Sequence, residues 1–133
     1  MKNACAALAA IALMSLAAPA ARAHHSAAPF DFTRNAQVSG TVKSFELINP
    51  HMRLVMAVTD AKGTRDVEFE GHSLNNMYRE GWRPSMVKVG DKLTVSIAPR
   101  RDGGDGGYVT SATTADGRHF GMPSRAQQVA EGK

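Results

Sequence analysis

The stretch that decides the fold is residues 37–70, "QVSGTVKSFELINPHMRLVMAVTDAKGTRDVEFE", in which three strand patterns are separated by two turn signals. In the first pattern Val38 and Val42 share one face, whereas Phe45 continues the apolar series with the opposite parity. A period-two pattern that slips by one residue is typical of a β-bulge, which we place near Lys43–Ser44. The sequence therefore predicts a long first strand interrupted by a bulge.

The next two patterns predict a β-hairpin. Asn49-Pro50 ends the first strand, residues 51–60 form the second, and residues 64–71 form the third after a turn at Asp60–Gly63. The alternation predicts that one face of this hairpin points into a core. Its inward residues are Met52, Leu54, Met56 and Val58 on the second strand, and Val67 and Phe69 on the third.

After residue 72 the apolar period changes from two to that of a helix. Ser73 is a suitable N-cap, and Gly81 can end the helix with Trp82 packed beneath it. Two further strand patterns follow, one through Leu93–Ile97 and one over residues 108–117. Three strands, a short helix and two strands predict a mainly β protein, a small five-stranded OB-like barrel. The alternative is a generic five-stranded sheet with one helix across its end.

The N-terminal segment, residues 1–23, has the features of a cleaved secretory signal peptide. Lys2 supplies the positive charge, residues 6–18 the apolar region, and Ala21-Arg22-Ala23 a small-x-small cleavage site. Cleavage after Ala20 and retention as a membrane anchor are the alternatives. We therefore expect a periplasmic protein with no stable membrane insertion after cleavage. Its predicted parts are an N-terminal arm (24–36), an OB-like barrel domain (37–117) and a flexible C-terminal tail (118–133).

Loss of this segment changes the charge and the cysteine content. The full chain has 16 basic and 12 acidic residues, and without Lys2 and Arg22 there are 14 against 12, a net charge of +2. So small an excess, in an exported protein, makes nucleic acid a poor partner. The single cysteine, Cys5, leaves with the signal, so the mature chain is expected to fold without a disulfide.

Cleavage after Ala23 makes His24 the first residue, directly followed by His25. A free α-amino group has a pKa of about 7.7–8.0, so a metal can displace its proton at modest cost. The amine and ring nitrogens of one N-terminal histidine can chelate a metal, and a second imidazole can complete a set of nitrogen donors. Such donors in a tetragonal plane suit Cu(II).

The second imidazole is predicted to come from His51, at the rigid start of the second strand behind Pro50. If strands two and three pair as a hairpin, their far ends bring His51 near Glu70 and His72. We therefore predict the metal ligands His24, His25, His51, Glu70 and His72. Each histidine also has an ordinary structural explanation, as a solvated terminal residue, a strand cap or part of the helix entry.

A family resemblance covers residues 24–118. The motifs "HHSAAPFDF", "GTVKSFELINPH", "REGW", "GDKLTVSIAPRRDG" and "TADGR" resemble a family of small exported bacterial proteins of unknown function, which carry HHS near the mature N-terminus and NPH after the first strand. The resemblance implies no activity. Leu47 and Phe69 stand where the family commonly has an aromatic and a tryptophan, and His72 matches no family motif, which weakens it as a ligand. The family's motif positions correspond here to His24, His25, Ser26, Phe30, Asp31, Asn49, Pro50, His51, Gly81 and Trp82.

Catalytic patterns are absent from the sequence: it contains no HExxH, no CxxC and no nucleophile elbow. We therefore expect a non-enzymatic copper-binding domain that acts in metal handling or as a redox accessory, together with a periplasmic protein partner. The alternative is a metal-free module that binds a partner protein or a small ligand. A copper-dependent oxidative enzyme is a third class, for which the sequence shows no substrate surface.

Overall fold

The computed structural model describes residues 28–121. They form six strands, one α-helix and one turn of 3₁₀ helix, Pro84–Met86. The strands and helix are β1 (Ala36–Glu46), β2 (Arg53–Asp60), β3 (Gly63–Glu70), α1 (Leu74–Arg79), β4 (Lys92–Pro99), β5 (Gly107–Thr114) and β6 (His119–Gly121).

The first five strands close into a barrel. β1 pairs antiparallel with both β2 and β4, β2 pairs with β3, and β4 pairs with β5. A parallel pairing of Glu70 with Tyr108 joins β3 to β5 and closes the ring. This strand order, with α1 between β3 and β4, is that of an OB-fold, so the predicted fold class is confirmed.

The bulge in β1 lies where the change of parity places it. Val42 pairs with Met56 and Ser44 pairs with Val55, which leaves Lys43 as the extra residue. A bulge bends a strand and increases its twist, so the two parts of β1 can pair with different strands. The first part of β1 pairs with β4, and the part from Gly40 onward pairs with β2.

The core lies inside the barrel and beneath α1. All six residues predicted to point inward from the β2–β3 hairpin are buried. Trp82 is 1% exposed, and its ring lies 5.7 Å from that of Phe45 and 4.5 Å from that of Phe120. Trp82 is therefore packed in the core beneath α1, as its position directly after Gly81 predicts.

The C-terminal boundary differs from the prediction. We expected a flexible tail from residue 118, but His119–Gly121 form β6, which pairs with β5. Phe120 is buried because its ring packs edge-on against Trp82. The predicted boundary at residue 117 falls before this strand, because three residues are too few to show a periodic pattern. Within residues 28–121, no helix is long and apolar enough to cross a membrane.

Candidate functional site

The start of β2 and the end of β3 meet at one rim of the barrel. Arg53 pairs with Glu70, and one step further the Met52 amide donates to the His72 carbonyl at 2.9 Å. His51 and His72 therefore sit on adjoining strand ends, as the hairpin register predicts. We call this region, from Asn49 to Met52 and from Glu70 to Ser73, the histidine rim.

The ring of His51 is held against the backbone of the opposite strand end. It is half-buried, and its Nδ1 lies 3.2 Å from the carbonyl oxygen of Gly71. Since a carbonyl only accepts, this bond places the proton on Nδ1 and the lone pair of the neutral ring on Nε2. The Asn49 side chain accepts from the Leu74 amide at 3.2 Å, which ties the loop before His51 to α1.

His72 belongs to a second cluster, formed with Tyr108 and Glu80. The Tyr108 hydroxyl lies 2.7 Å from His72 Nδ1, and Oε1 of Glu80 lies 3.4 Å from His72 Nε2. Burial raises the pKa of Tyr108 to about 12, so its hydroxyl stays protonated at neutral pH. Burial also raises the pKa of the Glu80 carboxyl, while the neighbouring His72 opposes that shift. Both ring nitrogens of His72 thus face a partner.

Glu70 lies at the rim, close enough to Tyr108 for its negative charge to add to the burial that raises the pKa of that hydroxyl. It lines a small cavity with Phe30 and Arg100, on the β5 side of β3. Within residues 28–121 no group of three or more His, Cys, Asp or Glu side chains is arranged to hold a metal ion. His51, Glu70 and His72 share the rim but do not form a complete ligand set by themselves.

The N-terminal arm is fastened beside this cluster. Phe30 is 2% exposed, and its ring lies 5.5 Å from that of Tyr108, while the ring of Phe32 lies 5.2 Å from Tyr108. The Asp31 amide donates to Pro99 at 2.8 Å, and Thr33 donates twice to the Asp31 carboxylate, which lowers the pKa of that carboxyl. His24 and His25 lie outside the described residues.

Sequence analysis missed two residues of this region, Tyr108 and Glu80. Tyr108 is 36 positions from His72 in the chain and was assigned only to a strand. No local spacing connects the two, because their contact depends on the β3–β5 closure. Glu80 lies inside the "REGW" motif, which is the one signal that pointed to it.

The barrel and its rim define the class of the protein as an OB-type β-barrel, with one α-helix in the described range 28–121. The chain belongs to a family of unknown function (DUF6152), whose family model matches residues 9–110. No curated protein matches the sequence significantly. Among solved structures, the chain is similar to the crystal structure of a mitochondrial single-stranded DNA binding protein from S. cerevisiae, Rim1. The identity is 9% and the TM-score 0.46, over 62% of this chain and 93% of that one.

Proposed function

We propose that this protein is an exported, periplasmic domain that binds one copper ion through His24, His25 and His51, for metal handling or as an accessory to a redox system. The observation that carries the proposal is the attachment of the N-terminal arm. Phe30 packs on Tyr108, and Tyr108 hydrogen-bonds His72 on the rim that also holds His51. The described part of the arm is thus anchored to a residue that contacts the rim, and this supports our proposal that the preceding histidines reach His51.

The proposed ligands of the N-terminal arm lie only a few residues before the described part of the chain. His24 and His25 precede Ala28, the first described residue, by four and three positions. A chain spans at most about 3.3–3.6 Å per residue, so both lie within roughly 14 Å of Ala28. We propose that this short arm, anchored at Phe30, places an imidazole at the rim.

The donor chemistry of the rim also supports copper. Metal-ligating histidines usually donate their second ring N–H to a carbonyl or carboxylate, which fixes the orientation of the ring. His51 has this arrangement toward Gly71. Because the rim lacks a complete ligand set within residues 28–121, the proposal requires the N-terminal amine and imidazoles. Nitrogen donors of that kind favour Cu(II) among the divalent ions.

Glu70 and His72 have the weaker claim as ligands. His72 directs its two ring nitrogens at Tyr108 and Glu80, and Glu70 borders a cavity beside Arg100. We propose that both residues support the rim and that His51 supplies the barrel's metal ligand.

The first test is the mass of the exported protein, since the proposal depends on one cleavage position. Intact-mass measurement should give a chain that starts at His24, and calorimetry with Cu(II) should then show one saturable site per chain. A chain that starts at Ala21 would remove the N-terminal chelate. The copper site proposed here would then be wrong.

A metal-free interaction module is the second candidate, and exposed apolar side chains favour it. Phe32 is 50% exposed while its ring touches Tyr108, and Ile48, in the loop that leads to His51, is 45% exposed. Contiguous exposed apolar patches mark protein-binding surfaces, so this candidate requires Phe32 and Ile48 to contact the same partner. If Phe32→Ser removes a physiological interaction that survives complete removal of copper, this candidate replaces the first.

We do not propose that this protein binds nucleic acid. The outer face of β3 carries Asp66, Glu68 and Glu70. Carboxylates repel phosphates, and nucleic-acid affinity depends on many phosphate contacts by cations. The outer face of β3 is therefore a poor surface for an oligonucleotide.

A further inference from the structure

A second concave surface lies at the end of β2 remote from His51. It is a groove of about 630 Å³ across the outer faces of β2, β1, β4 and β5. Its polar side chains are almost all uncharged and short, and its lining includes no carboxylate. Ligand sites typically measure about 300–1,000 Å³, so the groove has room for a small ligand.

A row of hydroxyl groups crosses this groove. Ser39 pairs with Thr94, and Thr94 pairs with Thr113 on the next strand. Since Gly40 pairs with Val58, Thr59 is the neighbour of Ser39 on the other side. The row therefore places one hydroxyl on each of four adjacent strands, at the strand spacing of about 4.8 Å.

The hydroxyls of this row keep capacity for a ligand, although each already shares one side-chain hydrogen bond. Ser39 and Thr94 hydrogen-bond each other at 2.8 Å, Thr59 bonds Thr64 at 2.8 Å, and Thr113 bonds the ring of His119 at 3.0 Å. A hydroxyl has one donor and two acceptor positions, so a pair that shares one bond can still donate and accept. Groups that both donate and accept at a regular spacing match the hydroxyls of a saccharide.

Lys92 supplies the positive charge of the groove. Its ammonium donates to the Thr41 hydroxyl at 2.6 Å, and it forms no ion pair with any residue of the range 28–121. In contrast, Arg53 and Arg100 are each paired with a carboxylate. Asp91 and Asp116 line the adjoining cavity that shares Lys92, but the groove itself has no carboxylate, so the ammonium favours an anionic group on a ligand in the groove.

We propose that this groove binds an acidic oligosaccharide, with sugar hydroxyls on the Ser39–Thr94 row and a uronate carboxylate on Lys92. Phosphate polymers fit less well, because they need several cations and the groove has one. The site is independent of the copper proposal, since it lies at the other end of β2.

The test is an NMR titration of the isotope-labelled, metal-free protein with tetragalacturonate, and with maltotetraose as the neutral probe. Tetragalacturonate should shift the amide signals of Ser39 and Thr94 saturably. Lys92→Gln should weaken binding about tenfold, the loss expected for one hydrogen bond to a charged group. Lys43→Gln, an exposed lysine of β1 outside the groove, should leave binding unchanged, and Ser39→Ala should weaken it more than Ser44→Ala.

Four results would overturn the proposal. The first is no saturable shift up to about 10 mM tetragalacturonate, well above a millimolar dissociation constant, and the second is a set of shifts that map outside the groove. The third is equal affinity for the neutral tetrasaccharide. The fourth is an equal loss of affinity in the Lys92→Gln and Lys43→Gln variants. Because no metal is present, none of these results depends on the copper site.

Discussion

The hydroxyl of Tyr108 lies 2.7 Å from Nδ1 of His72, and this bond links the N-terminal arm to the histidine rim. Tyr108 carries the two phenylalanines of the N-terminal arm on its ring, and His72 ends the β3 side of the histidine rim. The pair therefore couples the seating of the arm to the surface where we propose the metal binds.

Tyr108→Phe should lower the free energy of unfolding by about 1 kcal/mol, the usual net value of one hydrogen bond. The ring contacts with Phe30 remain, so the variant should stay folded. Urea denaturation measures the change. Tyr78→Phe is the matched control, because that tyrosine is 39% exposed, and its loss should be near zero. Equal stability of Tyr108→Phe and the native protein would show that the bond does not contribute.

The ion pairs of Arg65 predict that the stability of the fold depends on pH in the acid range. Arg65 holds the pKa of Asp105 at about 2, below its ordinary value of 3.8. A carboxyl with a lowered pKa contributes stability above the unfolded value, and this contribution is lost as pH falls from about 4 to about 2. The difference in Tm between the native protein and Asp105→Asn should therefore be constant near neutral pH and vanish toward pH 2.

Asp66→Asn is the control for this experiment, since Asp66 is exposed on the same strand as Arg65 and forms no ion pair within residues 28–121. Its Tm should follow that of the native protein over the whole range. A difference in Tm between the native protein and Asp105→Asn that persists unchanged to pH 2 would contradict the assignment of a lowered pKa to Asp105.

Substitution by alanine should reduce stability to different extents at two glycines of the β4–β5 loop. Both have positive φ, +87° at Gly106 and +74° at Gly103. A Cβ at Gly106 would lie 2.2 Å from the Glu68 carbonyl oxygen, whereas a Cβ at Gly103 meets nothing within 4 Å. Gly103→Ala should cost about 1–2 kcal/mol from backbone strain alone, and Gly106→Ala about 3 kcal/mol or more, because β3 must also move. Equal urea midpoints for the Gly103→Ala and Gly106→Ala proteins would show that the close approach of Gly106 to the Glu68 carbonyl does not affect stability.

His51→Ala should weaken copper binding at least about tenfold, while the loss of its hydrogen bond to Gly71 should cost only about 1 kcal/mol of stability. Copper calorimetry and thermal unfolding of the metal-free protein measure the two effects. His119→Ala removes an exposed imidazole on β6 that also shares one hydrogen bond, with Thr113, so its effect on stability should be no larger and copper affinity should not change. A large fall in Tm with unchanged copper affinity would make His51 a structural residue of the strand end.

The local features of the fold were predictable because they depend on neighbours in the chain. The parity change at Lys43 and the turn at Asp60–Gly63 both appear within a few residues, and together they set the β1–β2–β3 register. That register also placed His51 beside His72. Closure of the barrel by Glu70 and Tyr108 was not predictable in detail, because it joins strands with no sequence signal between them.

The candidate site was therefore predicted in part. The rim histidines follow from a hairpin, whereas the contact of His72 with Tyr108 and Glu80 follows from closure and from the position of α1. The strand β6 escaped prediction for a similar reason, since its Phe120 packs on the distant Trp82 and three residues are too few to show a periodic pattern.

The most direct test of the copper proposal compares two N-termini. A chain that begins at His24 and a chain with one extra glycine before His24 should be titrated with Cu(II) at neutral pH. The extra residue moves the α-amino group out of chelating position and leaves every side chain in place. We predict one tight site in the first chain and a loss of at least about tenfold in affinity in the second, equivalent to about 1.4 kcal/mol. Equal affinity of the two chains would contradict the account.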